Sequence, residues 1–297
     1  MSAESAAQSA WRIAFAAELA GPYLSSGRRP SMAVLGGSPS RGLSDPWSDL
    51  DMLFFWETPD LDWIASAPAG LPRTDMLEME PGVVLETYHV DGLKADIAHV
   101  ETAVWSRMVD EVLVRLNTDG GLQKSLQGFL DAVVLHGEDE VRAWRGRISC
   151  YPPALGERMV RDHLWFFVRG YLIDQCWRRG DGLAYADGIC RMLKNILGVL
   201  AGLNGVYLST DEPRWLAWEL GRMGTIPGRT SDRMAEILAL EPERAVSVLD
   251  GLILDVLDLA ERLMPSSDAA YRRERYLRRV LPCSSKPGPD DRESTPR

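Results

Sequence analysis

Two runs of β-forming residues, VVLETYHV (83–90) and LKADIAHV (93–100), flank the dipeptide Asp91-Gly92. Asp-Gly favours the tight two-residue turn whose twist matches paired strands, so the two runs are antiparallel neighbours. An isolated hairpin is marginal in water, and this one needs a larger sheet to join. MAVLGG (32–37) and LDMLFFW (50–56) supply two further strands, and TDMLEME (74–80) is a weaker one. Around them the apolar spacing turns helical. Trp11, Ile13, Ala14, Ala17 and Leu19 mark one stripe of an N-terminal helix, and helices are predicted over 101–116 and 122–135.

The pattern changes near residue 150, after which no strand signal appears. ERMVRDHLWFFVRGYLIDQCWRR places Met159, Leu164, Phe167, Tyr171 and Ile173 at helix-compatible spacings, as far as Gly180-Asp181-Gly182. AYADGICRMLKNILGVLAGLN follows, then a Pro-started helix over 213–223 and one or two helices within DRMAEILALEPERAVSVLDGLILDVLDLAERLM. The expected architecture is α+β. A sheet domain with its N-terminal helix occupies 1–150, a helical domain occupies 151–280, and 281–297 is a polar, proline-bearing tail expected to be disordered.

Composition excludes some roles. The 297 residues are 45% hydrophobic and 26% charged, enough to bury a real core. No apolar run approaches the ~18 residues that span a bilayer, and the N-terminus lacks the basic start and apolar stretch of a signal peptide. The expectation is a cytoplasmic protein with no membrane partner. A net charge of −10 argues against gripping nucleic acid, though not against a small anionic ligand held with a metal. The four cysteines lie far apart and form no C-x-x-C pair, so they are expected as reduced thiols.

The chemistry is concentrated in GGSPSRGLSDPWSDLD (36–51). Asp49 and Asp51 stand at i and i+2 of a predicted strand, so both carboxylates point to one face and repel unless a cation lies between them. Mg²⁺ accepts such oxygen ligands together with substrate phosphates. Gly36, Gly37 and Ser38 follow an apolar strand directly. Glycine lets the backbone approach a phosphate and present its N–H groups, Ser38 adds a hydroxyl, and Arg41 can reach an anionic oxygen. Asp96, in KADIAHV, adds a third acid with Ala95 and Ile97 facing the other way. It is a metal ligand or the base that takes a proton from an attacking hydroxyl.

G-S-x-x-x-G-x-x-x-x-x-S-D-x-D, read from Gly37 to Asp51, resembles the signature of the polymerase-beta-type nucleotidyltransferase superfamily. Within it the chain is most similar to the small bacterial aminoglycoside and lincosamide nucleotidyltransferases. The resemblance implies a nucleotidyltransferase mixed-sheet domain followed by an all-helical bundle. It implies Mg²⁺ on Asp49 and Asp51, with Asp96 as third carboxylate. Gly37, Ser38 and Ser48 fall at its nucleotide site, and ATP is the expected co-substrate. The implied reaction is transfer of a nucleoside monophosphate to a hydroxyl of a small molecule, as in antibiotic resistance, and a homodimer is compatible with it. Nucleotidylation of a protein partner, as by antitoxin-like relatives, is the alternative. Pro46-Trp47 inside the motif and Asp rather than Glu at the third acid depart from several members.

Other residues admit plainer roles. Glu86, on the strand paired with that of Asp96, is the alternative base or simply an exposed strand residue. His89 and His99 read as strand histidines without chemistry. Asp187, Arg191 and Lys194 share a helix face, and resembling enzymes send a lysine from such helices to the triphosphate, so Lys194 is the candidate. Trp165, Phe166, Phe167, Tyr171, Trp177, Trp215 and Trp218 read mainly as core, with one or two lining an acceptor pocket. The basic stretch 271–279 reads as a solvated terminal helix.

Overall fold

The computed structural model describes residues 3–25, 27–66, 71–208 and 214–278, and the tail over 281–297 lies outside them. The chain divides into two compact units, Met1–Arg158 with Asn204–Arg222, and Met159–Leu203 with Met223–Arg297. It therefore leaves the first unit, enters the second, returns, and leaves again, although its sequence changes character only once.

The first unit runs α1 (Ala3–Ser25), β1 (Met32–Leu35), α2 (Gly37–Arg41), β2 (Leu50–Trp56), α3 (Leu61–Ala65), β3 (Arg73–Glu80), β4 (Val83–Val90), β5 (Leu93–Glu101), α4 (Thr102–Leu113), α5 (Gly120–Asp131), β6 (Val133–His136) and α6 (Glu138–Ile148). Its strands form a six-stranded sheet in the order β3-β4-β5-β2-β1-β6. The sheet is mixed: β2 and β5 run parallel, and the other neighbours are antiparallel. The β4–β5 hairpin closes as the Asp-Gly turn requires, with Val90 opposite Leu93 and Asp91 and Gly92 both at positive φ.

Strand alternation decides what each face carries. Leu50, Met52 and Phe54 of β2 and Ala95 and Ile97 of β5 point to one side, where they pack with Ala16, Leu19, Ala20 and Tyr23 of α1. On the other side Phe55 meets Trp105 of α4 and Phe129 of α5, with ring centroids 5.4 and 5.6 Å apart. Asp51 and Asp96 belong to this second face. The buried stripe of α1 is Ser9, Arg12, Ala16, Leu19, Ala20 and Tyr23, rotated from the one expected, and Trp11 is exposed. Arg12 can be buried because it donates to Gln8 and to the backbone oxygen of Ser48.

α7 (Pro153–His163) leads out of the first unit. α8 (Gly182–Asn204) lies almost wholly in the second, α9 (Leu216–Gly221) belongs to the first, and α10 (Thr230–Ala239), α11 (Pro242–Leu263) and α12 (Ala269–Leu277) complete the second. Among the described residues no helix is long and apolar enough to cross a membrane.

Three helical expectations give way. The helix over 122–135 stops at Asp131, because Val133–His136 pairs with β1 as an edge strand. The run 157–179 is not one helix. After His163 the backbone extends, with Leu164 and Phe166 buried and Trp165 and Phe167 only partly so, a period of two in place of 3.6. Trp165 O is capped by Asn195 Nδ2 at 2.7 Å. The helix expected over 213–223 begins only at Leu216, after Trp215 at positive φ; Pro213 lies outside the described residues.

Candidate functional site

The glycine loop is built onto the acid strand. Gly36 N donates to Asp51 O at 2.8 Å, which fixes where β1 ends relative to β2. Gly37 then takes φ +68°, in the left-handed region, and a Cβ there would stand 2.7 Å from Asp51 Oδ2. Only glycine satisfies both demands, so its identity follows from the closeness of the loop to the carboxylate. α2 starts at Gly37, and Gly42 at φ 70° ends it. From there the chain returns through a loop closed on itself. Asp45 Oδ1 accepts from Trp47 N and Ser48 Oγ, both at 2.9 Å, while Arg12 Nε grips Ser48 O at 3.0 Å. Trp47 is 91% exposed.

Asp49 and Asp51 emerge from this loop, and Asp51 is the register partner of Asp96 across the parallel β2–β5 pair. Asp51 opens to solvent, yet the walls around it crowd its water. That desolvation, then the charges of Asp49 and Asp96, push its pKa to about 6, against the pull of Lys124 and Lys94. Asp96 Oδ1 accepts from Thr87 Oγ1 at 2.8 Å and Oδ2 from Lys94 Nζ at 2.6 Å. The Lys94 pKa is raised, first by this bond and then by the fields of Asp96, Asp49 and Asp51.

Asp49 and Asp51 border a cavity of about 490 Å³ lined by Gly37, Ser38, Arg41, Asp45, Trp47, Ser48, Asp49, Asp51, Lys124, Arg214 and Trp215; Asp96, Lys94 and Thr87 are not part of that lining. Its lining carries three carboxylates, of which Asp45 is bonded within its own loop, and the three cationic side chains of Arg41, Lys124 and Arg214. Hard oxygen donors with too little positive charge between them suit a divalent cation such as Mg²⁺, which takes its remaining ligands from water and phosphate. Asp49 and Asp51 fit that role. Among the described residues no three His, Cys, Asp or Glu side chains are grouped to hold a metal ion, and Asp96 is engaged by Thr87 and Lys94.

The expected nucleotide contacts divide. Gly37, Ser38, Arg41 and Ser48 all line the cavity. Arg41 is also committed elsewhere: its Nε donates to Asp131 Oδ2 at 2.9 Å, and its guanidinium lies 4.7 Å from the Trp218 ring centroid. Lys194 is exposed on α8, in the second unit. Glu86 is not an exposed strand residue. It is wholly buried on the α1 side of the sheet, where Tyr23 Oη, Arg73 Nη1, Tyr88 Oη and His99 Nε2 surround it at 2.5 to 3.2 Å.

Sequence reasoning passed over Lys94, Lys124, Arg214 and Thr87. Of the chain's four lysines, two stand at the acids, and Lys94 was signalled by its i−2 spacing from Asp96 on one strand. Trp215 and Trp218, read as part of the helical domain, belong to the first unit. Their segment is tied to α5 and α6 by Arg222 Nη2 to Gln127 Oε1 at 2.7 Å, Leu208 N to Gln123 Oε1 at 3.3 Å and Tyr207 Oη to Ile148 O at 2.9 Å.

No family model and no curated protein matches the chain. Among solved structures it is similar to a nucleotidyltransferase-like protein from Exiguobacterium sibiricum 255-15, at 14% identity and a TM-score of 0.36, over 82% of this chain and 73% of that one. It is also similar to a CCA-adding enzyme in complex with CTP, at 15% identity and a TM-score of 0.31, over 93% of this chain and 70% of that one. Likenesses at these scores transfer no residue role.

Proposed function

We propose that the chain transfers a nucleoside monophosphate from a nucleoside triphosphate to a hydroxyl of a small molecule, with release of pyrophosphate. The observation behind this reading is one cavity that joins a left-handed glycine loop, the carboxylates of Asp49 and Asp51 and the cations of Arg41, Lys124 and Arg214. The Gly37–Ser38 segment presents amide and hydroxyl donors to phosphate oxygens. Lys124 and Arg214 offset the charge of the triphosphate tail. Asp49 and Asp51 hold the divalent cation, which when bound supplies Lewis-acid stabilisation of the phosphate charge. The acceptor oxygen bonds to the α-phosphorus, the bond from that phosphorus to the bridging oxygen breaks, and pyrophosphate departs with the electron pair. Asp96, beside Asp51, is the group proposed to take the acceptor proton.

ATP is the proposed donor and an antibiotic-like molecule the proposed acceptor, both on the sequence resemblance. The test incubates the purified chain with Mg²⁺, each of the four labelled ribonucleoside triphosphates, and a panel of aminoglycosides, lincosamides and other hydroxylated metabolites. The expected result is pyrophosphate release with an acceptor heavier by one nucleoside monophosphate. Label on a protein in place of a small molecule moves the reading to protein nucleotidylation. Absence of both nucleotide binding and pyrophosphate release overturns it.

A further inference from the structure

Lys94 and Asp96 are two residues apart on β5 and point to the same face of the sheet. Lys94 Nζ stands 2.6 Å from Asp96 Oδ2, and Thr87 Oγ1 holds the other carboxylate oxygen at 2.8 Å. Asp96 pairs in register with Asp51 on the neighbouring parallel strand. The acid cluster therefore already contains a positive charge, bonded to Asp96. A two-cation transferase places its ions about 3.5–4 Å apart, bridged by shared carboxylates. Here a second ion shared by Asp51 and Asp96 would meet an ammonium bonded to one of its own ligands.

We propose that Lys94 is a built-in substitute for a second divalent cation, so that the chain works with one such ion, on Asp49 and Asp51, and a lysine ammonium at Asp96. The proposal rests on the nucleotide-transfer reading above and deepens it. Two observations converge on it. Among the described residues no three acidic, histidine or cysteine side chains are grouped to hold a metal. Asp96, which would complete such a group, has an oxygen turned to Lys94. Lys94 acts as a positioning residue: it holds the Asp96 carboxylate in place, together with Thr87, without needing to touch the reacting atoms.

The experiment counts Mn²⁺ bound to the full chain by electron paramagnetic resonance, with the α,β-methylene analogue of ATP present and its retention measured in the same samples. The Lys94 side chain is 45% exposed, so its replacement leaves the core intact. The expected result is one Mn²⁺ per chain for the wild type, two for Lys94→Ala, and one again for Lys94→Arg, which restores the charge. Two Mn²⁺ in the wild type, or a single one in Lys94→Ala, overturns the proposal and leaves nucleotide transfer standing. Retention of neither Mn²⁺ nor analogue breaks the nucleotide-transfer reading itself.

Discussion

Glu86 and Asp96 lie on paired strands, but Glu86 is opposite Ile97 and Asp96 is opposite Thr87, so the two carboxylates face opposite sides of one sheet. On the α1 side Glu86 is met by donors from four residues. Trp56 Nε1 donates to His99 Nδ1 at 3.2 Å, which leaves His99 Nε2 as the protonated nitrogen that donates to Glu86. Although burial opposes it, the bonds from His99, Tyr23 and Arg73 hold the Glu86 carboxyl below its ordinary pKa. On the other side Asp51 meets crowding and two like charges, and its pKa rises to about 6. One sheet thus satisfies a carboxylate on its α1 face and leaves Asp51 of β2 crowded by like charges on the other. Asp51, with Asp49, is the one that lines the cavity, and on the proposed reading the pair takes a cation from outside.

The strongest way to break this contrast is Asp51→Asn. If Asp51 holds the proposed cation, loss of a ligand worth several kcal/mol, at about 1.4 kcal/mol per tenfold, predicts a fall in kcat/KM of about 10³ or more. The fold should not suffer. Because the folded pKa of Asp51 is raised above the unfolded value, the native state loses stability as pH climbs from near 4 through about 6. In metal-free buffer the variant should therefore melt above the wild type at pH 7, with the gap narrowing at pH 5. Scanning calorimetry at both values checks it, and an equal gap at both removes the like-charge account.

Glu86→Gln should do the reverse. Removing one member of a buried, charged network costs about 3–5 kcal/mol, so Tm should fall by roughly 6–20 °C at about 2–4 °C per kcal/mol for units of this size. Turnover of the folded fraction at low temperature should stay near that of the wild type. A large loss of kcat with an unchanged Tm would return Glu86 to the role of base.

Gly37→Ala sharpens the site side with the smallest effect. The left-handed backbone costs an alanine roughly 1–2 kcal/mol, and its Cβ displaces Asp51 Oδ2 from 2.7 Å. Weaker metal affinity, read by Mn²⁺ titration, should accompany a small drop in Tm. Unchanged metal affinity would separate the loop from the acids.

Much of this contrast was legible beforehand. The Asp91-Gly92 turn fixes the register, and counting back from it pairs Asp96 with Thr87 and sends Glu86 to the other face. The glycine loop and the S-D-x-D acids were legible because their chemistry is local. Partners distant in sequence were not. Nothing near Arg41 announces Asp131, 90 residues on, and nothing near Lys124 announces Asp51. The β6 strand stayed hidden because Val133–His136 is too short for its period to separate strand from helix, and its pairing with β1 decides.

The return of residues 204–222 to the first unit also has a consequence during synthesis. The stretch that carries Arg214, Trp215 and Arg222 follows about 45 residues that belong to the other unit. At ~5–20 residues per second a ribosome needs about 3–13 s to carry the chain from Arg158 to Arg222. Until then the nascent sheet has its glycine loop and acids but lacks one wall of the cavity. A message truncated in that interval would yield a polypeptide holding every residue of the S-D-x-D motif and no finished pocket.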